Sequence, residues 1–358
     1  MAEASAKHQG ETTVDYYAGI DVSLECSSVC VVDGQGKIER EAKVASEPDA
    51  LIAWFAALEV PLARIGLEAG PLSQWLFAAL QACGLAVELL ETRHVRDAFK
   101  AMPVKTDRKD APGIAQLMRL GWFRPVHCKS LPAQEVRALL TTRKLLQSKR
   151  HDVEMSIRGV LRGFGLKVGP TTPKTFEQRV RELVAHHDTL EQISEALLKA
   201  RAVLLGEFKT IERRLVGLAR RDAQVRNLTS VPGVGALVAL TFSSAIDDPA
   251  RFRSSRMVGA HFGLTPKKYQ SGETDVTGRI SKIGDHGVRG ALYEAANVML
   301  TRPVKSSALK SWALAVAKRA GMRKAKVALA RKLAVVLHRM MRSGEQFLRA
   351  GRAATVAC

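Results

Sequence analysis

No stretch of this chain reaches 18 consecutive apolar residues, which excludes an ordinary membrane-spanning helix. The opening residues, MAEASAKHQGETT, lack the basic-then-apolar layout of a secretory signal, so export is not expected. Cysteine is scarce: Cys26, Cys30, Cys83, Cys128 and Cys358 form no CxxC pair. An odd count without metal spacing points to reduced, mostly core thiols in the cytoplasm. Aromatic residues make up only 5% of the chain, which suits recognition of nucleic-acid backbone and shape better than base stacking. Internal repeats and low-complexity tracts are also missing. Acidic residues are short in one part only. Residues 1–130 hold 14 Lys and Arg against 17 Asp and Glu, whereas residues 131–358 hold 41 against 18, a net of +23.

What is present begins with length: 358 residues suffice for two or three domains, each with its own core. A surface as basic as the second half attracts a polyanion, because neutralising phosphates releases condensed counterions. A generally basic protein of the ribosomal or chaperone kind would share that charge, but charge alone does not explain the acidic first third.

Residues 17–34 predict two strands, YYAGIDVS and SSVCVVDG, with a turn at Asp33-Gly34 and Gly36. A third strand is expected over 36–44, a helix over 48–59, a strand over 63–68, a helix over 72–83 closed by Gly84, and a strand over 85–90. Three strands followed by strand–helix alternation indicates a mixed sheet with helices against it, the order expected of a ribonuclease-H-like domain. From 131 to about 225 the pattern turns helical. Ile193, Leu197, Ala200, Leu204, Phe208, Ile211, Leu215 and Leu218 form one apolar stripe, as in a helical hairpin or coiled coil. An earlier stripe, Val136, Leu139, Leu146, Val153, Ile157, Val160 and Phe164, is broken by Arg143 and Arg150. Beyond 229 a Pro-Gly-x-Gly turn leads into an apolar helix. Residues 301–358 then carry 14 Lys and Arg against the single acid Glu345.

Three constellations can carry chemistry. Asp21 in GIDVS and Glu68 in GLEAG stand at strand ends, where neighbouring strands would bring them within metal-bridging distance. Asp107 and Asp110 in KTDRKDA, spaced i, i+3 at a helix start, share one face near the positive end of the helix dipole. Four converging carboxylates repel one another unless a cation sits between them, and oxygen-only donors favour Mg²⁺ or Mn²⁺ over Zn²⁺. Two such ions about 4 Å apart can activate one oxygen and stabilise another in phosphodiester chemistry. Each acid alone also fits a turn, a cap or a solvated ion pair.

The second constellation, residues 263–295, packs six glycines, several hydroxyls and the bases Lys267, Lys268, Arg279, Lys282 and Arg289 into 33 residues. Glycine lets the backbone approach a phosphate and the bases supply counter-charge. Ser271, in a Gln-Ser-Gly turn after Lys267 and Lys268, is a candidate nucleophile; Ser281 is its rival, though Ser-Lys ahead of a helix is a common cap. The third is Pro232-Gly233-Val234-Gly235, which resembles a helix–hairpin–helix element, with Gly233 and Gly235 opening the backbone to a DNA phosphate. A plain turn and helix start fits it equally. His186, His187 and His286 have no partners at metal spacing.

Taken in order, GIDVS, GLEAG, KTDRKDA, VPGVG, GLTPKKYQSG and GRISKIGDHGVRGALYEAA resemble the DEDD transposases of bacterial insertion sequences, the one-ten family, understood as bridge-RNA-guided recombinases. The resemblance runs from about residue 15 to 345. It implies an α/β plus α chain: a flexible tail (1–14), a RuvC-like, ribonuclease-H-type domain (15–130), a helical coiled-coil arm (131–225), a mainly helical transposase domain (226–345) and a second tail (346–358). It implies that Asp21, Glu68, Asp107 and Asp110 bind Mg²⁺ or Mn²⁺, and that Ser271 forms a transient phosphoserine bond to DNA, with Ser281 a neighbouring motif residue. It further implies donor and target DNA, a structured noncoding guide RNA and a homo-oligomer, dimer or tetramer, as partners, in which one subunit's tetrad completes a site around another's serine. Two other readings remain open on the residues alone: a metal-dependent, structure-selective nuclease of the junction-resolvase kind, and a non-catalytic nucleic-acid binder.

Overall fold

A computed structural model describes residues 15–100 and 110–347. Between Lys129 and Ser130 the chain divides into two compact units.

The first unit is a five-stranded mixed sheet with helices on both faces. Strands β1 (Tyr16–Val22), β2 (Cys26–Val32) and β3 (Ile38–Ala45) run antiparallel in sequence. Asp33 sets the second turn by accepting the amides of Gln35 and Lys37, each at 2.9 Å. Helix α1 (Pro48–Ala56), β4 (Leu62–Glu68), α2 (Ser73–Ala82), β5 (Val87–Leu90), α3 (Thr92–Phe99) and α4 (Asp110–Leu120) follow. The strand order is β3-β2-β1-β4-β5, with β4 parallel to β1 and β5 parallel to β4. The expected strands and helices of this region all appear, and Gly84 ends α2 at φ 82°.

Side chains alternate across a strand, so the two faces have different partners. Ala18, Ile20, Val29, Val31, Ile65 and Leu67 meet α1 and α2 through Leu51, Phe55, Leu76 and Leu80. On the opposite face Cys30 and Val32 meet Ala111 and Ala115 of α4. The described thiols are less buried than the expectation of mostly core thiols, and Cys358 lies outside the described residues. Cys30 is buried, Cys128 is intermediate, and Cys26 and Cys83 are exposed. Cys26 opens β2 at the sheet end and Cys83 caps α2, both places that solvent reaches.

The second unit is mainly helical. Helix α5 (Leu131–Gly163) has 33 residues and spans about 50 Å. It lies against α7 (Asp188–Arg221), with α6 (Phe176–Val184) between them in sequence. The breaks that Arg143 and Arg150 make in the apolar stripe are filled from the other helix. Arg143 lies 4.7 Å and Arg150 5.8 Å from the Phe208 ring, and Arg143 bonds Glu212 at 2.7 Å.

Three stripe positions differ from expectation. Phe164 is 65% exposed, because it follows the last turn of α5; Ile193 is 39% exposed, and Ala200 is exposed as well. The inward line of α7 at this end is Leu190, Ser194, Leu198 and Arg201. Arg201 turns the helix this way. Only 2% exposed, it bonds Glu154 at 2.8 Å and the Pro173 carbonyl at 3.0 Å, and lies 5.0 Å from the Phe176 ring.

Helices α8 (Ala223–Leu228), α9 (Ala236–Ile246) and α10 (Met257–His261) lead to a two-stranded hairpin, β6 (Pro266–Ser271) and β7 (Thr274–Ile280). Then come α11 (His286–Thr301), α12 (Ala308–Ala320) and α13 (Met322–Ser343). Their core gathers Phe242, Phe262, Leu292, Met299, Leu333 and Leu337. His338, fully buried in it, bonds Ser255 Oγ at 2.8 Å and the Pro249 carbonyl at 3.1 Å. Among the described residues, no helix is long and apolar enough to cross a membrane.

Candidate active site

In the first unit the geometry begins with two glycines. Asp21 stands two residues beyond Gly19 on β1, and Glu68 two beyond Gly66 on β4, so each acid shares a face with its glycine. That face is the one α4 covers. A Cβ on Gly19 would strike the Ala111 carbonyl and the Ala115 amide, and one on Gly66 would come within 2.6 Å of Ile114 Cγ2. The missing side chains let α4 lie directly on the two strands, which brings its first residue, Asp110, to the sheet end where Asp21 and Glu68 stand. The register pairs Ile20 with Leu67, so the next residues along, Asp21 and Glu68, are lateral neighbours. A glycine inside a strand pattern marks close approach of another backbone, and that signal was available in GIDVS and GLEAG.

Electrostatics reports the same convergence. Burial pushes the Glu68 carboxyl above its ordinary range, and the charges of Asp21 and Asp110 push it further. Glu68 does not cap the following helix; Leu72 occupies that position. Asp107 lies outside the described residues. Among the described residues, no three His, Cys, Asp or Glu side chains are gathered as they would be around an ion. Asp21 and Asp110 therefore act on Glu68 without the three sharing one ligand point. The donor chemistry still fits a hard divalent cation, since all three are carboxylates whose mutual repulsion a cation would offset. Beside them opens a cleft of about 780 Å³, lined by Asp21, Ser28, Glu41, Lys43, Ala111 and Pro112 among others.

In the second unit Ser271 is the last residue of β6, at the tip of the hairpin, paired with Thr274 across a two-residue turn. Gly272 takes the first turn position with φ 54°, where a side chain would be strained. All of β6 is exposed, and Ser271 makes no side-chain hydrogen bond to another described residue. Lys267, Lys268 and Arg279 are exposed on the same hairpin, Lys268 with an ion pair of 3.2 Å to Asp275.

Ser281 is not the cap of the next helix. Its amide bonds the Thr265 carbonyl at 2.9 Å, and Asp285 caps α11 by accepting the Val288 amide at 3.1 Å. Burial alone would raise the Asp285 carboxyl, but the Arg137 guanidinium at 2.7 Å and the Val288 amide outweigh it and hold the carboxyl low. Lys282 adopts φ 58° in the connecting loop, with its amide on the Gly263 carbonyl at 3.1 Å. Arg289 spends Nη1 on the carbonyls of Phe262, Ile283 and Gly284 at 3.2, 2.9 and 2.9 Å, so it fastens this loop.

The Pro-Gly-Val-Gly turn joins α8 to α9. Gly233, at φ 86°, has no room for a Cβ, which would lie 2.5 Å from the Ala295 carbonyl of α11; Gly235 is the N-cap of α9 with open space beside it.

Comparison with known proteins follows the same division. A transposase model of the DEDD IS110 type matches residues 18–165, and the Transposase IS116/IS110/IS902 family model matches residues 225–312. The chain belongs to the IS110-type transposases. The transposase for insertion sequence element IS1111A of Coxiella burnetii is 28% identical over 338 residues, covering 92% of this chain and 90% of that protein. The transposase for element IS1328 of Yersinia enterocolitica is 25% identical, covering 70% of this chain and 75% of its own. In this transposase the first matched segment contains Asp21, Glu68, Asp107 and Asp110, and the second contains Ser271 and its hairpin.

Proposed function

We propose that this transposase cuts and rejoins DNA through a phosphoserine link at Ser271, with Asp21, Glu68, Asp107 and Asp110 binding Mg²⁺ or Mn²⁺. The reading rests on one observation above all: the charges of Asp21 and Asp110, remote in sequence from Glu68, both act on its carboxyl at one end of the sheet. Strand order β3-β2-β1-β4-β5, antiparallel over the first three and parallel from β1 to β5, supports a RuvC-like, ribonuclease-H-type domain over 15–130. The packed pair α5 and α7 supports a coiled-coil arm over 131–225, and the helical core beyond it a transposase domain over 226–345.

When bound, the cation supplies Lewis acidity at a phosphate oxygen. The protein's own side chains do the rest. Glu68, held partly buried beside Asp21 and Asp110, presents with them a set of carboxylates whose repulsion at Glu68 a divalent cation would offset. Ser271 Oγ attacks phosphorus: the Oγ–P bond forms as a P–O bond of the strand breaks. The serine proton leaves to a base or solvent, and the departing oxygen becomes a hydroxyl. One phosphodiester replaces another, so a hydroxyl on a second strand can reverse the exchange and free the serine without ATP. An exposed hairpin tip suits this, since duplex DNA can reach it unhindered. Lys267, Lys268, Arg279 and Lys282 hold flanking phosphates, while Gly235 opens the α9 N-terminus to another. Arg289 and Gly233 contribute through the loop and turn they keep in shape. A structured guide RNA selects donor and target DNA by pairing, which relieves the protein of base-specific readout. The active form is a homo-oligomer, dimer or tetramer.

The test is a denaturing gel for a protease-sensitive protein–DNA adduct. Ser271→Ala is expected to abolish the adduct and leave DNA binding within twofold; Asp21→Ala is expected to abolish it as well. Cutting by the Ser271→Ala protein would replace this reading with hydrolysis by water at the carboxylates.

A further inference from the structure

The sheet register carries a row of side chains across three strands on one face. Asp21 of β1 pairs with Ser28 of β2, and Ser28 pairs with Lys43 of β3. Directly paired residues project to the same side of a sheet. Here that is the α4 side, since Cys30, two residues beyond Ser28, packs on Ala111 and Ala115. Asp21, Ser28 and Lys43 all line the 780 Å³ cleft beside the carboxylates. The other ionisable groups there are Glu25, Glu41 and the Cys26 thiol. Among the described residues lining the cleft, Lys43 is the sole cation, and it enters no ion pair with a described carboxylate. Its neighbour on the strand face, Glu41, instead interacts with Cys30, whose thiol burial and that charge push up to about 12.

We propose that Lys43 is a DNA-binding residue, holding a backbone phosphate that flanks the bond acted on at Asp21, Glu68 and Asp110. A polyanion entering a cleft walled by carboxylates is repelled everywhere except where positive charge is fixed. A cation between the acids neutralises one phosphate only, and the phosphates flanking it need another partner. Two strand spacings separate Lys43 from Asp21, about 10 Å, or roughly three nucleotides of helical rise. Ser28, half-buried between them, offers a hydroxyl to the same backbone. The charge therefore fixes how the strand crosses the sheet: from the carboxylates over β2 toward the exposed edge strand β3.

This inference rests on the proposed DNA reaction at the carboxylates, so its test is separated from the serine chemistry. Equilibrium binding of the full-length chain to a duplex carrying an end of its insertion sequence is measured in the Ser271→Ala background, with and without Lys43→Ala. Lys43→Ala is expected to weaken binding about tenfold and to lower the slope of log K against log salt by about one phosphate's worth. Lys43→Arg is expected to restore both. A single uncharged methylphosphonate, scanned through the five nucleotides on either side of the cut, should remove the difference at one position and at no other. Unchanged affinity and salt slope in Lys43→Ala would overturn the proposal. So would a loss that arginine does not repair, or one insensitive to every methylphosphonate. Cutting by Ser271→Ala would overturn the serine reading and leave this one standing.

Discussion

The carboxylate end of the first unit and the serine hairpin of the second are built in opposite ways. Asp21, Glu68 and Asp110 come from a strand, a second strand and a helix, and two glycines that admit α4 hold them together. Ser271 sits at the tip of a local hairpin whose two strands are joined by Gly272 and Glu273 and exposed along nearly their whole length. One arrangement is a product of packing, the other of turn chemistry. Damage to packing therefore spreads through the first unit, whereas damage to the hairpin stays local.

The largest effect expected from breaking this contrast comes at Gly19. Gly19→Ala pushes a Cβ into the backbone of α4, and a well-packed core cannot yield there without moving the helix. Denaturant unfolding should show a loss on the order of 3 kcal/mol, together with loss of adduct formation. A wild-type unfolding curve for Gly19→Ala would mean that α4 does not lie on β1 as described. A smaller effect is expected at Gly272, where nothing lies within 4 Å of the absent Cβ and only the positive φ resists substitution. Gly272→Ala should cost about 1 kcal/mol and slow adduct formation without altering the unfolding of the first unit. If it unfolded the protein as Gly19→Ala does, the contrast between the two regions would be lost.

The smallest effect concerns protons. Glu68 has a folded-state pKa above its unfolded value, so the native carboxyl holds its proton more tightly. That contribution is fully present below the unfolded pKa and is lost as the pH rises through the raised folded one. Glu68→Gln removes the dependence. Without divalent cations the variant should melt above the unmodified protein at neutral pH, and the gap should close in acid. Adding Mg²⁺ should raise the melting temperature of the unmodified protein more than that of Glu68→Gln. A gap that widened in acid would show that Glu68 is not held among like charges.

Much of the first unit was legible in the sequence, because short apolar runs with period two, turns at Asp33 and Gly84, and amphipathic helices encode themselves locally. The acids at strand ends were legible for the same reason. The position of α4 was not. Nothing in KTDRKDA says which strands the helix will cover, and the glycines that answer the question lie some 45 to 90 residues earlier. In the second unit the apolar stripe marked α7 but misjudged its rotation near Ile193, since periodicity counts apolar residues and Arg201 is the largest side chain buried there. The exposed β6–β7 hairpin was unforeseen as well, for its strands carry few apolar residues to signal a sheet.

Composition and pattern by themselves determined that this chain has an acidic α/β part and a basic helical part, because charge and hydrophobic period are properties of the residues in order. Only the tertiary structure decided that Asp21 and Asp110 act on Glu68 and that Lys43 lines the same cleft as Asp21. Those relations depend on strand register and on how closely a helix can approach a sheet, distances that the linear order of residues does not contain.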